Sequence, residues 1–231
     1  MKPSEDSNQK NLLNHFLSEN NVELPDDVLG KLYQYADLVV ETKEFGNLIS
    51  PKDSEKFLSR HIADSLVPYI YIGNMVSDGF HQDDTTSEPR TSSSMPIKWA
   101  DMGSGAGCPV FPLAIAMPQV QFYAVEPRHM RVNFMQMVKE KLNLNNLTVV
   151  GKRFETSELS NLDFISCRAL STFENDWDRA KTALNKNGIF VTLKSFNNII
   201  HLEKNPAVHI HKYSLPCEEQ IYALVTRGMN E

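Results

Sequence analysis

Asp101, Gly103, Gly105 and Gly107 are the residues of this chain whose types and spacing point most directly to chemistry. They follow the apolar run 97–100 and precede a second apolar segment. Glycines suit such a turn because its backbone angles exclude most side chains and because a ligand must approach the main chain closely. A helix that starts after the turn directs its free N–H groups toward that ligand. The stretch therefore predicts a strand, a ligand-binding turn and a helix.

Glu126 ends a second short apolar segment, 121–126, and is the next candidate. In nucleotide-binding α/β units an acid at the tip of the second strand accepts hydrogen bonds from ribose hydroxyls. Glu126 could instead cap the helix that starts near Pro127, since acids are common at helix N-termini. With the glycine turn upstream, we interpret Glu126 as the ribose ligand.

The spacing of the glycines helps to distinguish which nucleotide cofactor the turn could bind. A dinucleotide fingerprint requires a third glycine where this chain has Cys108, and no Gly-Lys-Ser/Thr run indicates a P-loop. The pattern Asp-x-Gly-x-Gly-x-Gly resembles the first motif of class I methyltransferases that use S-adenosylmethionine. That resemblance implies that the turn holds the methionine part of the cofactor and that Asp101 helps to place its amino group.

Composition indicates a soluble enzyme. The chain has 231 residues, of which 41% are hydrophobic, and this suits one α/β domain with an appendage. No apolar run approaches the roughly 20 residues of a membrane helix, and no signal-peptide core is visible. Three separated cysteines without Cys-x-x-Cys spacing predict free thiols and no metal site. We expect a cytoplasmic monomer that binds neither membrane nor metal.

The net charge of −6 is unevenly distributed. Residues 1–45 hold nine acids against four bases, whereas residues 128–153 hold six bases against one acid. A basic sector beside the cofactor turn could meet phosphates, or it could be a solvated helix face that balances the acidic N-terminal region. The candidate phosphate contacts are Arg128, Arg131, Arg153 and, just past a later strand, Lys194, which could instead face solvent.

The chain divides into three parts. Residues 1–72 carry helical apolar stripes, residues 73–96 are polar and are predicted to form a flexible insertion, and residues 97–231 alternate strands with helices. A helix over 173–184 is predicted to stop at Asn187-Gly188 before a strand at 189–193. Segments 209–213 and 220–226 are predicted to pair as an antiparallel edge. The predicted fold is α/β, with a Rossmann-like, mostly parallel class I methyltransferase sheet, an antiparallel edge strand and a helical N-terminal region.

Several short motifs, taken in order, resemble the glucose-inhibited division protein B family. They are Asn47-Leu48-Ile49-Ser50, Arg60-His61-Ile62-Ala63-Asp64-Ser65, Pro109 and Pro112 after the glycine turn, Phe154-Glu155, and Ser166-Cys167-Arg168-Ala169. The resemblance runs from about residue 10 to the end of the chain. It implies a bacterial enzyme that uses S-adenosylmethionine to methylate N7 of a guanosine in 16S ribosomal RNA of the small subunit.

The resemblance also implies roles for single residues. Gly103 and Gly105 match the family's cofactor turn, Cys108 a position whose main chain borders the cofactor, and Glu126 the ribose acid. The pair Phe154-Glu155 matches residues near the adenine, and Arg168 an arginine at the mouth shared by cofactor and substrate. The chain departs from the family at Cys108, where leucine is usual, at 42–44, which replace a tryptophan-containing segment, and in its long 73–96 insertion.

Guanine N7 has a free lone pair and no proton, so its methylation needs placement rather than a general base. We expect Arg168 to be the catalytic residue, orienting the guanine through O6 or binding a phosphate; the alternative is an ion pair that closes the sheet edge. His61 is expected to be a packed histidine held by Asp64. Cys167, beside Arg168, suggests a nucleophile, but burial in a strand is the favoured interpretation.

Two other functions fit the same sequence. A methyltransferase for a small molecule or protein would suit the acidic net charge, and RNA would then neither compete nor accept the methyl group. A cofactor-binding regulatory module would bind S-adenosylmethionine without turnover.

Overall fold

A seven-stranded sheet forms the centre of the computed structural model, which describes residues 2–46, 48–77 and 96–230. Asn47 and positions 78–95 of the predicted insertion therefore lie outside the described residues. The strands are β1 (Lys98–Met102), β2 (Gln121–Val125), β3 (Leu147–Val150), β4 (Leu162–Arg168), β5 (Leu184–Ser195), β6 (His209–Ser214) and β7 (Ile221–Gly228).

The strand order is β3-β2-β1-β4-β5-β7-β6. Strands β1 to β5 are mutually parallel, β7 runs antiparallel to β5, and β6 pairs antiparallel with β7 at the edge. The predicted mostly parallel sheet with an antiparallel edge is confirmed. Because the order reverses between β1 and β4, a crevice opens at the carboxyl ends of these two strands, and ligands bind at such a position in open α/β sheets.

Helices cover both faces and form the N-terminal region. They are α1 (Ser7–Glu19), α2 (Asp26–Glu41), α3 (Pro51–Ser54), α4 (Ala63–Ser77), α5 (Val110–Ala116), α6 (His129–Leu142) and α7 (Phe173–Ala180), with a π-helical segment, Phe57–Ile62, leading into α4. Helix α4 continues through 73–77, five positions into the predicted insertion, because Ile72 and Val76 are buried in the core. Ser50 caps α3 by accepting a hydrogen bond from the Asp53 main chain.

The N-terminal helices and the sheet share one hydrophobic core. On one face of the sheet, Trp99 stacks on Phe164 with ring centroids 4.7 Å apart, and side chains from α1 and α2, including Leu13 and Tyr35, belong to the same cluster. The opposite face packs around Phe190 and α7. The helical region is therefore in a position to shape the crevice.

The predicted end of the 173 helix was wrong. Helix α7 stops at Ala180, and β5 begins at Leu184 and runs through Asn187-Gly188. A Cβ on Gly188 would lie 2.9 Å from the Leu162 carbonyl oxygen, so this glycine allows close strand approach and is not a helix cap.

Over the described ranges, no helix has the length and apolar character needed to cross a bilayer. Within the same ranges, no three His, Cys, Asp or Glu side chains gather as a metal site would require.

Candidate active site

The glycine-rich turn between β1 and α5 has the backbone conformation that its sequence predicts. Gly103, Gly105 and Gly107 have φ angles of +70°, +61° and +104°, a region that side chains disfavour. A Cβ on Gly103 would lie 2.9 Å from Cδ1 of Leu170, and one on Gly105 would lie 2.7 Å from Nη1 of Arg131. A side chain from the loop after β4 and one from helix α6 therefore lie directly on the turn.

Internal hydrogen bonds already use most main-chain donors of the turn. The N–H groups of Gly103 and Ser104 donate to the Val125 carbonyl oxygen, and that of Gly107 donates to Ser104. The Gly105 N–H donates to Oε2 of Glu126 at 3.0 Å. The turn is thus rigidly joined to the end of β2, and few of its own donors remain for an anion.

Glu126 is 3% exposed and holds two loops together. Its Oε1 accepts from the Arg128 main chain at 2.9 Å, next to the start of α6, while Oε2 binds the turn. The structure therefore shows the capping interaction that we had weighed as an alternative. A carboxylate accepts about four hydrogen bonds, so two acceptor positions remain for ribose hydroxyls.

Asp101, at the end of β1, is 1% exposed and only half satisfied. Ser166 donates to its Oδ1 at 2.8 Å, but Oδ2 is buried with no hydrogen-bond partner among the described residues. Burial raises the pKa of this carboxyl to about 6, against the smaller effect of the Ser166 bond. An unpaired carboxylate oxygen beside a glycine turn suits a ligand ammonium group.

Tyr35 of α2 supports the far side of the turn, which the sequence analysis missed. Its hydroxyl donates to the Ala106 carbonyl oxygen at 3.0 Å and lies 3.3 Å from Sγ of Cys108. Its ring stacks on Phe111 of α5 with centroids 5.4 Å apart. Burial raises the Tyr35 pKa well above its ordinary value, so the hydroxyl stays protonated. The apolar stripe of α2 placed this face in the core, but no sequence signal directed it to the turn.

Arg168, at the carboxyl end of β4, meets two side chains from a distant part of the chain, and a third side chain binds one of these two. Its Nη1 lies 3.0 Å from Oδ2 of Asp64 and 3.4 Å from Nδ1 of His61, and Tyr213 donates to Oδ1 of Asp64 at 2.5 Å. The expected alternative, an ion pair at the sheet edge, is therefore present. The side chain is 21% exposed, and its Nε and Nη2 donors have no partner among the described residues. These donors remain available at the crevice.

His61 is packed, as predicted, but Asp64 does not hold it. Oδ2 of Asp64 accepts from Arg168 and Oδ1 accepts from Tyr213, so that part of the prediction was wrong. The imidazole lies 5.4 Å from the Phe57 ring, and its Nε2 is 3.3 Å from Oδ1 of Asp53 without hydrogen-bond geometry. Burial, with Arg168 and Arg60 nearby, lowers the His61 pKa to about 4. The ring is neutral at pH 7.

Leu170 and Ala169 follow Arg168 and were not selected from the sequence. Ala169 has a φ of +50°, which is uncommon for a residue with a Cβ and is frequent where function fixes the backbone. The 36% exposed Leu170 side chain covers Gly103. This loop therefore forms one wall of the crevice.

Cys108, Phe154 and Glu155 differ in their surroundings. The thiol of Cys108 is buried next to Tyr35, and the Phe154 ring is 6% exposed. Glu155 is exposed, and its Oε1 lies 2.5 Å from Nε of Arg179. A main-chain hydrogen bond, followed by Arg179, lowers the pKa of this carboxyl.

The four candidate phosphate contacts do not form one surface. Arg128 and Arg153 are exposed, and Arg131 is half-buried over the turn. Lys194 is 7% exposed, and its ammonium binds Asp176 at 2.8 Å and the Ser171 carbonyl at 2.6 Å. Because this internal ion pair removes the charge from solvent, Lys194 is no longer a candidate contact.

Cys167 is fully buried, as favoured from the sequence. Burial, followed by the nearby Asp176 carboxylate, raises its thiol pKa above the ordinary value. Because the thiolate is the nucleophilic form, this residue cannot serve as a nucleophile.

The strand order, the glycine turn at the β1–β4 crevice and the acids that end β1 and follow β2 define a class I S-adenosylmethionine-dependent methyltransferase. The family model of rRNA small subunit methyltransferase G, GidB, matches residues 29–221. The chain belongs to this family.

Two relatives illustrate the similarity. A Lactococcus lactis protein named ribosomal RNA small subunit methyltransferase G is 26% identical over 184 residues, 78% of this chain and 70% of the relative. A Pseudomonas putida protein of the same name is 32% identical over 161 residues, 68% of this chain and 65% of the relative. Among solved structures, human methyltransferase 10 domain containing protein has a TM-score of 0.48 and 16% identity over 71% of this chain and 82% of that chain. Because this TM-score and identity are low, we assign the fold class from the strand order and not from the comparison.

Proposed function

We propose that this chain transfers a methyl group from S-adenosylmethionine to N7 of a guanosine in 16S ribosomal RNA of the small subunit. The observation that carries the proposal is the juxtaposition of two incompletely satisfied groups at the crevice. These are Oδ2 of Asp101 and the Nε and Nη2 donors of Arg168, none of which has a hydrogen-bond partner in the described part of the chain.

The acidic and basic groups suit the two reactants. Asp101 and Glu126 offer acceptors for the ammonium and ribose hydroxyls of the cofactor, and Phe154 and Glu155 are proposed to lie near its adenine. Arg168 is proposed to bind the guanine O6 or a neighbouring phosphate, and it can do so without leaving Asp64. Gly103, Gly105 and the main chain at Cys108 would line the methionine part.

When bound, S-adenosylmethionine supplies an electrophilic methyl carbon, which the N7 lone pair takes as the carbon–sulfur bond breaks. No proton leaves guanine in this step. The titratable side chains agree with that requirement: the low pKa of His61 makes its imidazole a weak base, and burial raises the pKa of Tyr35 and of Cys167, so both stay protonated. Their shared task is therefore orientation and exclusion of water.

The exposed guanidinium groups of Arg128 and Arg153 are proposed to meet RNA phosphates. We further propose that residues 97–231 form the catalytic domain, that residues 1–72 support it, and that the enzyme acts as a cytoplasmic monomer. The names of the relatives support the RNA substrate.

Transfer of radioactive methyl groups tests the acceptor. The purified chain is incubated with methyl-labelled S-adenosylmethionine and, separately, small subunits lacking N7-methylguanosine, large subunits, and total protein. We expect label in small-subunit RNA alone. Label in protein or a small molecule would show that the chain methylates a different acceptor. Binding of S-adenosylmethionine without turnover would indicate a regulatory module.

An Arg168→Met variant tests whether the proposed contact of Arg168 with the substrate contributes to methyl transfer. Loss of a charged hydrogen-bonding group should reduce transfer about tenfold to a hundredfold. Lys181→Met, at an exposed position past α7, removes the same charge and should leave transfer unchanged.

A further inference from the structure

Arg131 differs from the other basic candidates because its side chain lies on the glycine turn and no residue that the structure describes pairs with it. Its Nη1 is 2.7 Å from the position that a Gly105 Cβ would occupy. The residue is half-buried, and its guanidinium has no hydrogen bond or ion pair with any described residue. Partly buried guanidinium groups are normally paired, so this one is suited to an anion that binds at the turn.

The turn itself offers little to such an anion. Three of its N–H groups donate to main-chain carbonyls, and the Gly105 N–H donates to Glu126. The buried carboxylates of Asp101 and Glu126 add negative charge on the same side. A carboxylate bound there would meet repulsion unless a cation lay beside it, and Arg131 is a cation whose Nη1 lies where a Gly105 side chain would point.

We propose that Arg131 binds the methionine carboxylate of S-adenosylmethionine, and is not an RNA contact. The inference rests on the proposed function, because it takes that cofactor as the ligand of the turn. Under this assignment the zwitterionic end of the ligand is matched group by group. Asp101 faces the ammonium, and the planar fork of Arg131 takes the carboxylate through two N–H donors.

The experiment compares one ligand that has this carboxylate with two that lack it. Affinities of the wild-type chain and Arg131→Met are measured calorimetrically for S-adenosylmethionine, for its decarboxylated form, and for 5′-methylthioadenosine, which lacks the whole amino-acid end. Arg131→Met should weaken S-adenosylmethionine about tenfold to a hundredfold and leave the other two ligands unchanged. Arg131→Lys should fall between, since it keeps the charge without the fork.

Lys141→Met is the matched control, because it removes one positive charge from an exposed position on the same helix. It should change none of the three affinities. Thermal unfolding of each variant shows whether the fold is retained.

Each other result has a distinct meaning. Equal weakening of all three ligands would show that Arg131 only supports the turn and would overturn the inference. Unchanged affinities together with weaker binding of small-subunit RNA would overturn it in favour of an RNA contact. If the wild-type chain bound none of the ligands, the proposed function would fail and the inference with it.

Discussion

Oδ2 of Asp64 lies 3.0 Å from Nη1 of Arg168, although 104 residues separate them along the chain. One belongs to α4 and the other ends β4, so the pair joins the N-terminal helical region to the crevice. Among the residues that the structure describes, the partners of the guanidinium bind its Nη1 alone, so Nε and Nη2 remain available for a ligand. The N-terminal region therefore positions the arginine that we assign to the substrate.

Asp64→Asn should impair methyl transfer more than cofactor binding. The amide keeps an acceptor for Tyr213 but removes the charge that anchors Arg168. We expect a loss in kcat/KM of about tenfold to a hundredfold, with the cofactor dissociation constant nearly unchanged. Initial rates and calorimetry measure the two quantities.

Asp178→Asn provides the control, since this exposed carboxylate forms an ion pair with Lys181, away from Arg168. If Asp64→Asn melted at a lower temperature but transferred methyl groups at the wild-type rate, Asp64 would be structural alone.

Tyr213→Phe should reduce stability with a smaller effect on activity. It removes the 2.5 Å hydrogen bond to Oδ1 of Asp64 and leaves that buried oxygen without its donor. A loss of about 1–3 kcal/mol in the free energy of unfolding is expected, which urea titration measures. Tyr222→Phe is the comparison, because the neighbouring Tyr222 hydroxyl has no hydrogen-bond partner within the ranges that the structure describes. Equal losses in the two variants would contradict a specific role for the Tyr213 hydroxyl.

Cofactor affinity should fall as the pH drops below about 6. Burial raises the pKa of Asp101 to about 6, so the carboxyl takes up a proton there and loses its attraction for an ammonium group. Binding near pH 6 should also release a proton, because the ligand cation favours the ionised form. Calorimetry from pH 5 to 8 in buffers of different ionisation enthalpy counts that proton. The pH dependence should disappear in Asp101→Asn, and its persistence would rule out Asp101 as the group responsible.

The low pKa of His61 should reduce the free energy of unfolding in mild acid. Its pKa is about 4 in the folded chain, below its ordinary 6.5, so the unfolded chain takes up the proton first as the pH falls. The associated stability is complete above about pH 6.5 and is lost progressively toward pH 4, by up to about 3 kcal/mol.

Asp101 acts with the opposite sign in this window, because its pKa is raised and its stabilising effect is lost as the pH rises toward 6. His61→Gln is therefore compared in an Asp101→Asn background. In urea titrations from pH 4 to 7, the free energy of unfolding should depend less steeply on pH when His61 is absent. The same pH dependence in both proteins would mean that the histidine does not titrate in this range.

Local sequence patterns predicted the parts of the site that lie close together along the chain. The glycine turn, the acid after β2 and the alternation of strands and helices could be read directly, because backbone conformation and hydrophobic periodicity are local properties. The end of α7 was misplaced because Asn187-Gly188 has the composition of a helix cap, whereas Gly188 is required by the close approach of Leu162.

Partners that are distant along the chain could not be read in the same way. Asp64 was assigned to His61, three residues away, but its actual partners are Arg168 and Tyr213. Lys194 was selected as an exposed cation because the sequence does not show that the buried Asp176 lies beneath it. Tyr35 reaches the turn only because α2 packs against α5.

The measurement that tests the central claim most directly is N7-specific strand scission of the labelled RNA. Small subunits that lack N7-methylguanosine are incubated with the chain and methyl-labelled S-adenosylmethionine, and their 16S RNA is cleaved by reduction and aniline. The account predicts one new scission site, at which the labelled base is released, and scission there about tenfold to a hundredfold weaker with Arg168→Met. Label incorporated into 16S RNA without scission would contradict N7 as the acceptor.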